Sequence, residues 1–491
     1  MNDHNPKAPL LLTARQASFE DDCACPQDSG LLLSAPPPTQ ENHCACPTPT
    51  QGVSAALCGA LYRQVDQVYV DESLPGGFRL LLSPYAPQGP SVANPAAWER
   101  WQTFAQPQPL SQPIDFQLAE QALLLPLDAS HRLPLMQPET LTVWLHVTNA
   151  CNLDCPYCYV RKSSAWMKEE VGLQVVNKVF QSAQQRGFRR VKLKYAGGEA
   201  TLHFRLIRRL VAHAQALAKE SGLALDQVIL SNGTLLQPEY VAWMLEHRVR
   251  LMISLDGLGE IHDQMRPTRA GNGSFARVRQ AIEDCLLPAG LIPNITVTVT
   301  RLNSAHLAET VRWALERNLP LNLNFYRQPL ASQEDLAAEE QALIEGMRAA
   351  YRVYEELLPE TPFLNGILDR VKVGSHRHAC GVGSSYLVVT HEGKVAQCQM
   401  LLEQAVFPAQ QEDLLTSIQH GPIPLMTVDE KASCTACRYR YFCAGGCPLE
   451  TYHRNGRWDV PHPNCRIYQA LIPEALHLEG LRLLKVHGYF H

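Results

Sequence analysis

Between Leu141 and Arg327 six short apolar runs alternate with amphipathic stretches, and that alternation restricts the fold more than any other feature of the chain. The runs are LTVWLHVT (141–148), RVKLKYAG (190–197), QVILSNG (227–233), RLMISLDG (250–257), ITVTVTR (295–301) and LNLNFYR (321–327). Their β-branched content reads as strand. The intervening EEVGLQVVNKVFQSAQQ (169–185) and FRLIRRLVAHAQALAKE (204–220) place apolar residues at helical spacing. Repeated strand–helix–strand units fold into a parallel sheet, either open or curled into a partial barrel. Ligands in such folds bind at the carboxyl ends of the strands.

At 491 residues the chain is too long for one core, so two or three domains are expected. Residues 1–55, rich in Pro, Gln, Thr and Ser, are expected to be disordered. They contain an internal echo, DDCACP (21–26) and NHCACP (42–47), for which the sequence offers no account. Residues 56–138 suggest a small α+β domain, with strands in QVDQVYVDE and GFRLLLSPY and a helix starting near Asn94-Pro95. Residues 139–330 form the β/α unit, 331–379 a helical linker and 380–491 a cysteine-rich end. A net charge of −5 and a pI near 6.4 give no electrostatic footprint for nucleic acid. No apolar run reaches the roughly 18 residues of a membrane span. No signal peptide is evident, so a cytoplasmic location is expected. Sixteen cysteines in a chain this long, gathered in ligand-like groups, favour metal binding in a reducing compartment over disulfides.

The first group lies just after the first strand. Cys151, Cys155 and Cys158, in CNLDCPYC, have the spacing to hold three corners of a cubane iron–sulfur cluster, leaving one iron open to a small molecule. An open iron can act on a substrate, so the spacing suggests an enzyme. A zinc half-site is the competing reading, but no histidine follows closely to complete it. The turn after strand two carries Gly197, Gly198 and Glu199, strand three ends at Ser231 and Asn232, and strand four at Ser254 to Asp256. All fall on one predicted rim.

Taken together, these residues resemble the radical S-adenosylmethionine (SAM) superfamily. CNLDCPYC is similar to its cluster loop, with aromatic Tyr157 before the third cysteine. AGGEATLH (196–203) resembles its Gly-Gly-Glu-Pro stretch, with Ala200 in place of proline. LDGLGEIHDQMRPTRAGNGSF (255–275) is similar to a pattern of one branch. The resemblance covers 141–327 and resumes at Cys380. It implies that Cys151, Cys155 and Cys158 hold a [4Fe-4S] cluster whose open iron is chelated by the amino and carboxylate groups of SAM. It further implies that Gly197, Gly198 and Glu199 receive the SAM amino group. Tyr157, Ser231, Asn232, Ser254 and Arg266 are further candidate SAM contacts.

Cys434, Cys437, Cys443 and Cys447 read C-x2-C-x5-C-x3-C, and Cys398 ends a G-x4-C from Gly393. This is similar to the SPASM extension of radical SAM enzymes that modify peptides. The resemblance implies two auxiliary [4Fe-4S] clusters: Cys380, Cys398 and Cys447 for the first, and Cys434, Cys437, Cys443 and Cys465 for the second. Seven cysteines leave the first set one ligand short; an open iron, His376, His378 or an N-terminal cysteine are the alternatives. Zinc sites are the competing reading of the C-x-x-C pair. Relatives that oxidise a sulfatase residue carry an acid directly after the cysteine matching Cys398. Gln399 stands there, and an amide takes up no proton at ordinary pH.

The expected fold is therefore α/β: a partial (β/α)6 radical SAM barrel, a C-terminal SPASM domain and a small N-terminal α+β, winged-helix-like domain. The expected function is reductive cleavage of SAM to a 5′-deoxyadenosyl radical that abstracts hydrogen from a ribosomally made peptide. The product would be a thioether or carbon–carbon crosslink. Residues 58–135 would recognise the peptide's leader, and flavodoxin or ferredoxin would supply electrons. Neither nucleic acid nor membrane is an expected partner. Two alternatives stay open: a radical SAM oxidase of a small molecule such as a tetrapyrrole, and a non-catalytic iron–sulfur electron-transfer protein.

Overall fold

The structure, a computed structural model, describes residues 8–13, 60–129, 133, 137–329, 335–404, 407–408 and 413–490. Six parallel strands form its centre: β1 (Thr140–Thr148), β2 (Arg190–Gly197), β3 (Ala224–Ser231), β4 (Arg250–Ser254), β5 (Asn294–Val299) and β6 (Leu321–Phe325). They lie side by side in chain order, each joined to the next by a crossover connection, as parallel neighbours require. The crossovers include α1 (Glu169–Gln185), α2 (Phe204–Ser221), α3 (Pro238–Glu246) and α4 (Leu307–Leu315). The strands are buried almost throughout; Val143, Leu145, Val147, Val191, Leu193 and Ile253 are sealed from solvent. That is why they read as near-continuous apolar runs rather than alternating ones.

The sheet does not stop at β1. Strand β7 (Tyr386–Val389), from the cysteine-rich end, pairs parallel to β1, with Tyr386 opposite Thr142 and Val389 opposite Leu145. Strands β8 (Lys394–Ala396) and β9 (Phe407–Pro408) continue it antiparallel, giving nine strands. An open edge at β1 would leave a row of backbone donors and acceptors unpaired, and the C-terminal region covers it. Helix α5 (Glu340–Leu357) follows β6, and the long α6 (Cys465–Val486) packs against it.

The N-terminal unit is α+β. Arg79–Leu82 is flanked in one sheet by Tyr69–Asp71 and Ser91–Ala93, and Leu61–Gln64 is the centre of a second, three-stranded sheet. Helices Pro95–Thr103 and Pro113–Glu120 complete the unit. The period of two along Arg79–Leu82 divides its side chains between two cores. Leu81 joins Trp101, Phe104 and Leu118 in a local core, whereas Leu80 and Leu82 join the main one. There Leu74 and Leu80 rest against Gly480 of α6, where an added Cβ would meet both at 3.0–3.2 Å.

One expectation is corrected. The segment 1–55 is not disordered throughout, because Leu11–Thr13 forms a strand antiparallel to Ser91–Ala93. The apolar run at 10–12 supplies a buried residue, Leu12, and the Asn94 side chain both accepts from the Leu10 N–H and donates to the Ala8 carbonyl. The two CACP runs and Cys58 lie outside the described residues.

Candidate active site

The loop after β1 is held from three sides. Leu153 is fully buried and bridges to Thr268, and the Asp154 N–H donates to the Pro267 carbonyl at 2.7 Å. Asn232, at the tip of β3, donates from Nδ2 to Asn152 Oδ1 at 2.9 Å and faces Cys151 Sγ at 3.9 Å. The Leu153 N–H also points at Cys151 Sγ, 3.4 Å away. Cys151 and Cys155 both lie within electrostatic reach of Cys158. Burial pushes both of these thiols up, Cys155 to about 11 against the opposing charge of Arg266. Ligation by a cationic cluster would offset that cost by holding the thiolate form.

Gly197 and Gly198 pack backbone to backbone against this loop. A Cβ on Gly197 would lie 2.5 Å from the Thr148 carbonyl oxygen, and one on Gly198 would lie 2.4 Å from that of Ala150. The amides of Gly198 and Glu199 donate to those same two oxygens, each at 2.8 Å. The glycine pair thus brings the ends of β1 and β2 together, one residue before Cys151.

Glu199 is almost wholly buried, and its carboxylate gathers the rim. Oε1 accepts from the Thr201 N–H (3.0 Å), the Thr201 hydroxyl (2.6 Å) and the Ser231 hydroxyl (2.9 Å). Oε2 accepts from the Asn232 N–H at 2.6 Å. A carboxylate offers about four acceptor sites, so most of this one is engaged inside the protein. Its negative charge still lies close to Cys151.

Arg266 and Tyr157, candidate SAM contacts by the resemblance, meet inside the protein. They form a triad with Asp256 in which Asp256 and Arg266 are buried and Tyr157, from the cluster loop itself, is half-buried. The Tyr157 hydroxyl donates to Asp256 Oδ2 and accepts from Arg266 Nη1, which also reaches Asp256 Oδ2 at 3.2 Å. Asp256 Oδ1 accepts the Thr298 N–H at 2.6 Å, tying β5 to the same group. Their charges balance one another in a region that could not hold either alone. Arg266 also lies within electrostatic reach of Cys155. Ser254 is half-buried at the end of β4. His262 accepts from the Asp256 N–H at 3.3 Å, and burial with the Arg266 charge holds it down at about 3, so it is a neutral packing group. Sequence reasoning missed Asp256 as the centre of this triad; its place at the end of β4 was the available signal.

The C-terminal cysteines fall into two groupings. Cys434, Cys437, Cys443 and Cys465 lie within electrostatic reach of one another, and burial pushes Cys434 to about 11 and Cys443 to about 12. Cys380, Cys398 and Cys447 pack into a common apolar cluster with Val382, Val388 and Leu401. Gln399 Oε1 accepts from the Tyr386 hydroxyl at 2.8 Å. His378 and Cys380 line one small cleft with Lys431 and Trp458, whereas His376 turns its Nδ1 to the Gly374 carbonyl. No disulfide joins the eleven described cysteines, and among the described residues no three His, Cys, Asp or Glu side chains converge on a single-ion site.

A parallel β/α sheet with a three-cysteine loop at its carboxyl rim, braced by a Gly-Gly-Glu turn, defines the radical SAM class. Residues 145–314 match the Radical SAM superfamily and are a radical SAM domain. The chain carries that domain and is an enzyme, with SAM and [4Fe-4S] clusters as its cofactors. Over 173 residues it is 30% identical to an uncharacterized protein of Methanocaldococcus jannaschii, a match covering 35% of this chain and 57% of that protein. It is 24% identical over 360 residues to the serine-type anaerobic sulfatase-maturating enzyme of Klebsiella aerogenes, covering 66% of this chain and 82% of that enzyme. A solved structure of anSMEcpe with bound AdoMet and the Cp18Cys peptide superimposes with a TM-score of 0.59 at 20% identity, over 71% of this chain and 99% of that one. Among the described residues no helix is long and apolar enough to cross a membrane.

Proposed function

We propose that this enzyme oxidatively modifies a peptide, with a thioether or carbon–carbon crosslink as the product. The observation that carries the reading is the convergence of the Cys151–Cys158 loop, the Gly197–Glu199 turn and Asn232 on one strand rim. Reductive cleavage of bound SAM would supply the oxidising power that removes a substrate hydrogen. The chain's own part is to hold and orient. Cys151, Cys155 and Cys158 would ligate the first cluster, and the backbone at Gly197 and Gly198 would fix its height over the sheet. Glu199 would lock Ser231 and Asn232, leaving Oε2 to face the SAM ammonium. The Asp256–Arg266–Tyr157 triad would support the loop, a positioning role rather than the direct SAM contact the resemblance implied for Arg266 and Tyr157.

The peptide substrate is supported by the kind of relative the chain matches over most of its length. A crosslink rather than sulfatase-type oxidation is favoured by Gln399, which bonds to Tyr386 and cannot serve as base. Cys380, Cys398 and Cys447, and Cys434, Cys437, Cys443 and Cys465, would hold the auxiliary clusters. A small flavodoxin or ferredoxin in a reducing cytoplasm would deliver electrons. The test is anaerobic incubation of reconstituted, dithionite-reduced enzyme with SAM. We expect 5′-deoxyadenosine from the parent and none from Cys155→Ala; no nucleoside from the parent would overturn the proposal.

A further inference from the structure

The turn carrying Cys447 encloses a side chain that no step above uses. Lys431 is only 3% exposed, and its Nζ donates to the Gly445 carbonyl at 3.0 Å. Among the described residues no carboxylate forms an ion pair with it. The groups within electrostatic reach of it that carry negative charge when ligated are the thiols of Cys434, Cys443, Cys447 and Cys380. The chain is shaped around this stem: Gly445 has a φ of +76°, and a Cβ there would lie 2.8 Å from Lys431 Cδ. Left-handed backbone and the absence of a side chain are both required at that point.

A buried ammonium is costly unless something nearby carries the opposite charge. Arg327, which also faces Cys447, is already paired with Asp369 at 2.6 Å. Lys431 has no such partner among the described residues. Of its four sulfur neighbours, Cys380 and Cys447 belong to one proposed ligand set, and Cys434 and Cys443 to the other. The ammonium therefore stands between the two sets.

We propose that Lys431 is the shared counter-ion of both auxiliary clusters, a positioning residue that stabilises the negative charge each takes up on one-electron reduction. The electron comes from the substrate radical left once a hydrogen atom has been abstracted; it loses that electron to the cluster and a proton to solvent as its new bond closes. This rests on the reading of the C-terminal cysteines as cluster ligands. A positive charge beside a cluster raises its potential, so Lys431 makes both sets better acceptors.

The experiment uses the full chain with Cys151, Cys155 and Cys158 changed to Ala, which leaves only the auxiliary signals. Redox titration followed by EPR compares this parent with Lys431→Met, Lys431→Gln and Lys431→Arg. We expect unchanged iron and sulfide in the neutral variants, with both midpoint potentials more negative and restored by Lys431→Arg. Unchanged potentials with iron retained would overturn the proposal, as would a shift confined to one cluster. Should both neutral variants lose iron while Lys431→Arg keeps it, a charge requirement is supported; loss from all three marks a mere packing role and refutes it. A parent without auxiliary iron would instead refute the cluster reading itself.

Discussion

Replacing Gly198 with alanine tests whether the glycine pair sets the height of the cluster loop. The new methyl carbon would lie 2.4 Å from Ala150 O, 2.8 Å from Ala150 C and 2.9 Å from Asn149 O. All three are backbone atoms and cannot rotate aside. Restoring ordinary contact requires the loop to move by about 1 Å, and overpacking of this kind costs roughly 1–3 kcal/mol. The same movement stretches the Glu199 N–H to Ala150 O hydrogen bond of 2.8 Å, worth about 1 kcal/mol. A total near 2–4 kcal/mol is therefore expected. Because Cys151 is the next residue, a shift of about 1 Å should also cut SAM cleavage up to roughly 100-fold. The assays are thermal unfolding, iron content and 5′-deoxyadenosine release, with Gly187→Ala as control. Gly187 has a φ of +75° but nothing within 4 Å of an added methyl, so its variant should lose about 1–2 kcal/mol from backbone strain and keep iron and activity. If Gly198→Ala stays within about 0.5 kcal/mol of the parent and retains both iron and cleavage, the close-approach argument is wrong.

Three further outcomes follow from the geometry. Glu199→Gln places an NH2 group against one of four donors, and should lower stability by about 2 kcal/mol by chemical denaturation, the scale of a lost hydrogen bond to a charged acceptor. Asp256→Ala strands the buried Arg266 and should cost about 3–5 kcal/mol, whereas Tyr157→Phe leaves the Arg266–Asp256 contact in place and should cost about 1 kcal/mol; equal losses would contradict the triad. The Asp71–His477 pair, 2.7 Å apart, joins the N-terminal sheet to α6. Burial alone would raise Asp71, but hydrogen bonds from His477 and Ser73 hold it at about 2. The bond to Asp71 raises His477. The His477 contribution is complete below about pH 6.5 and fades as pH rises through its raised folded value. That of Asp71 is complete above about pH 4 and is lost as pH falls towards 2. Melting curves of Asp71→Asn and parent should therefore differ most between about pH 4 and 6.5, and a pH-independent gap would exclude the pair as the cause.

The six barrel strands and their order were legible because each is a local property: a β-branched run, a helix-period stretch, then another run. The extent of α1 could be read to the residue, since Glu169–Gln185 carries its own amphipathic signal. The strand Leu11–Thr13 was not legible, because its partner, Ser91–Ala93, lies some 80 residues away and only tertiary pairing makes it a strand. Likewise nothing in YLVV (386–389) announces that it closes the open edge of β1.

The candidate site divides along the same line. Cysteine spacing and the Gly-Gly-Glu turn are chemistry written in short segments, so sequence alone determined the cofactor class and named the loops proposed to carry it. Partners separated by tens or hundreds of residues were decided only by the folded chain. Arg266 is a candidate SAM contact in sequence, and only the fold shows that its charge is met by Asp256 and Tyr157. Lys431 carried no signal at all until burial left its ammonium facing four sulfurs. A charge's role depends on what surrounds it once water is gone, and that is a property of the tertiary structure.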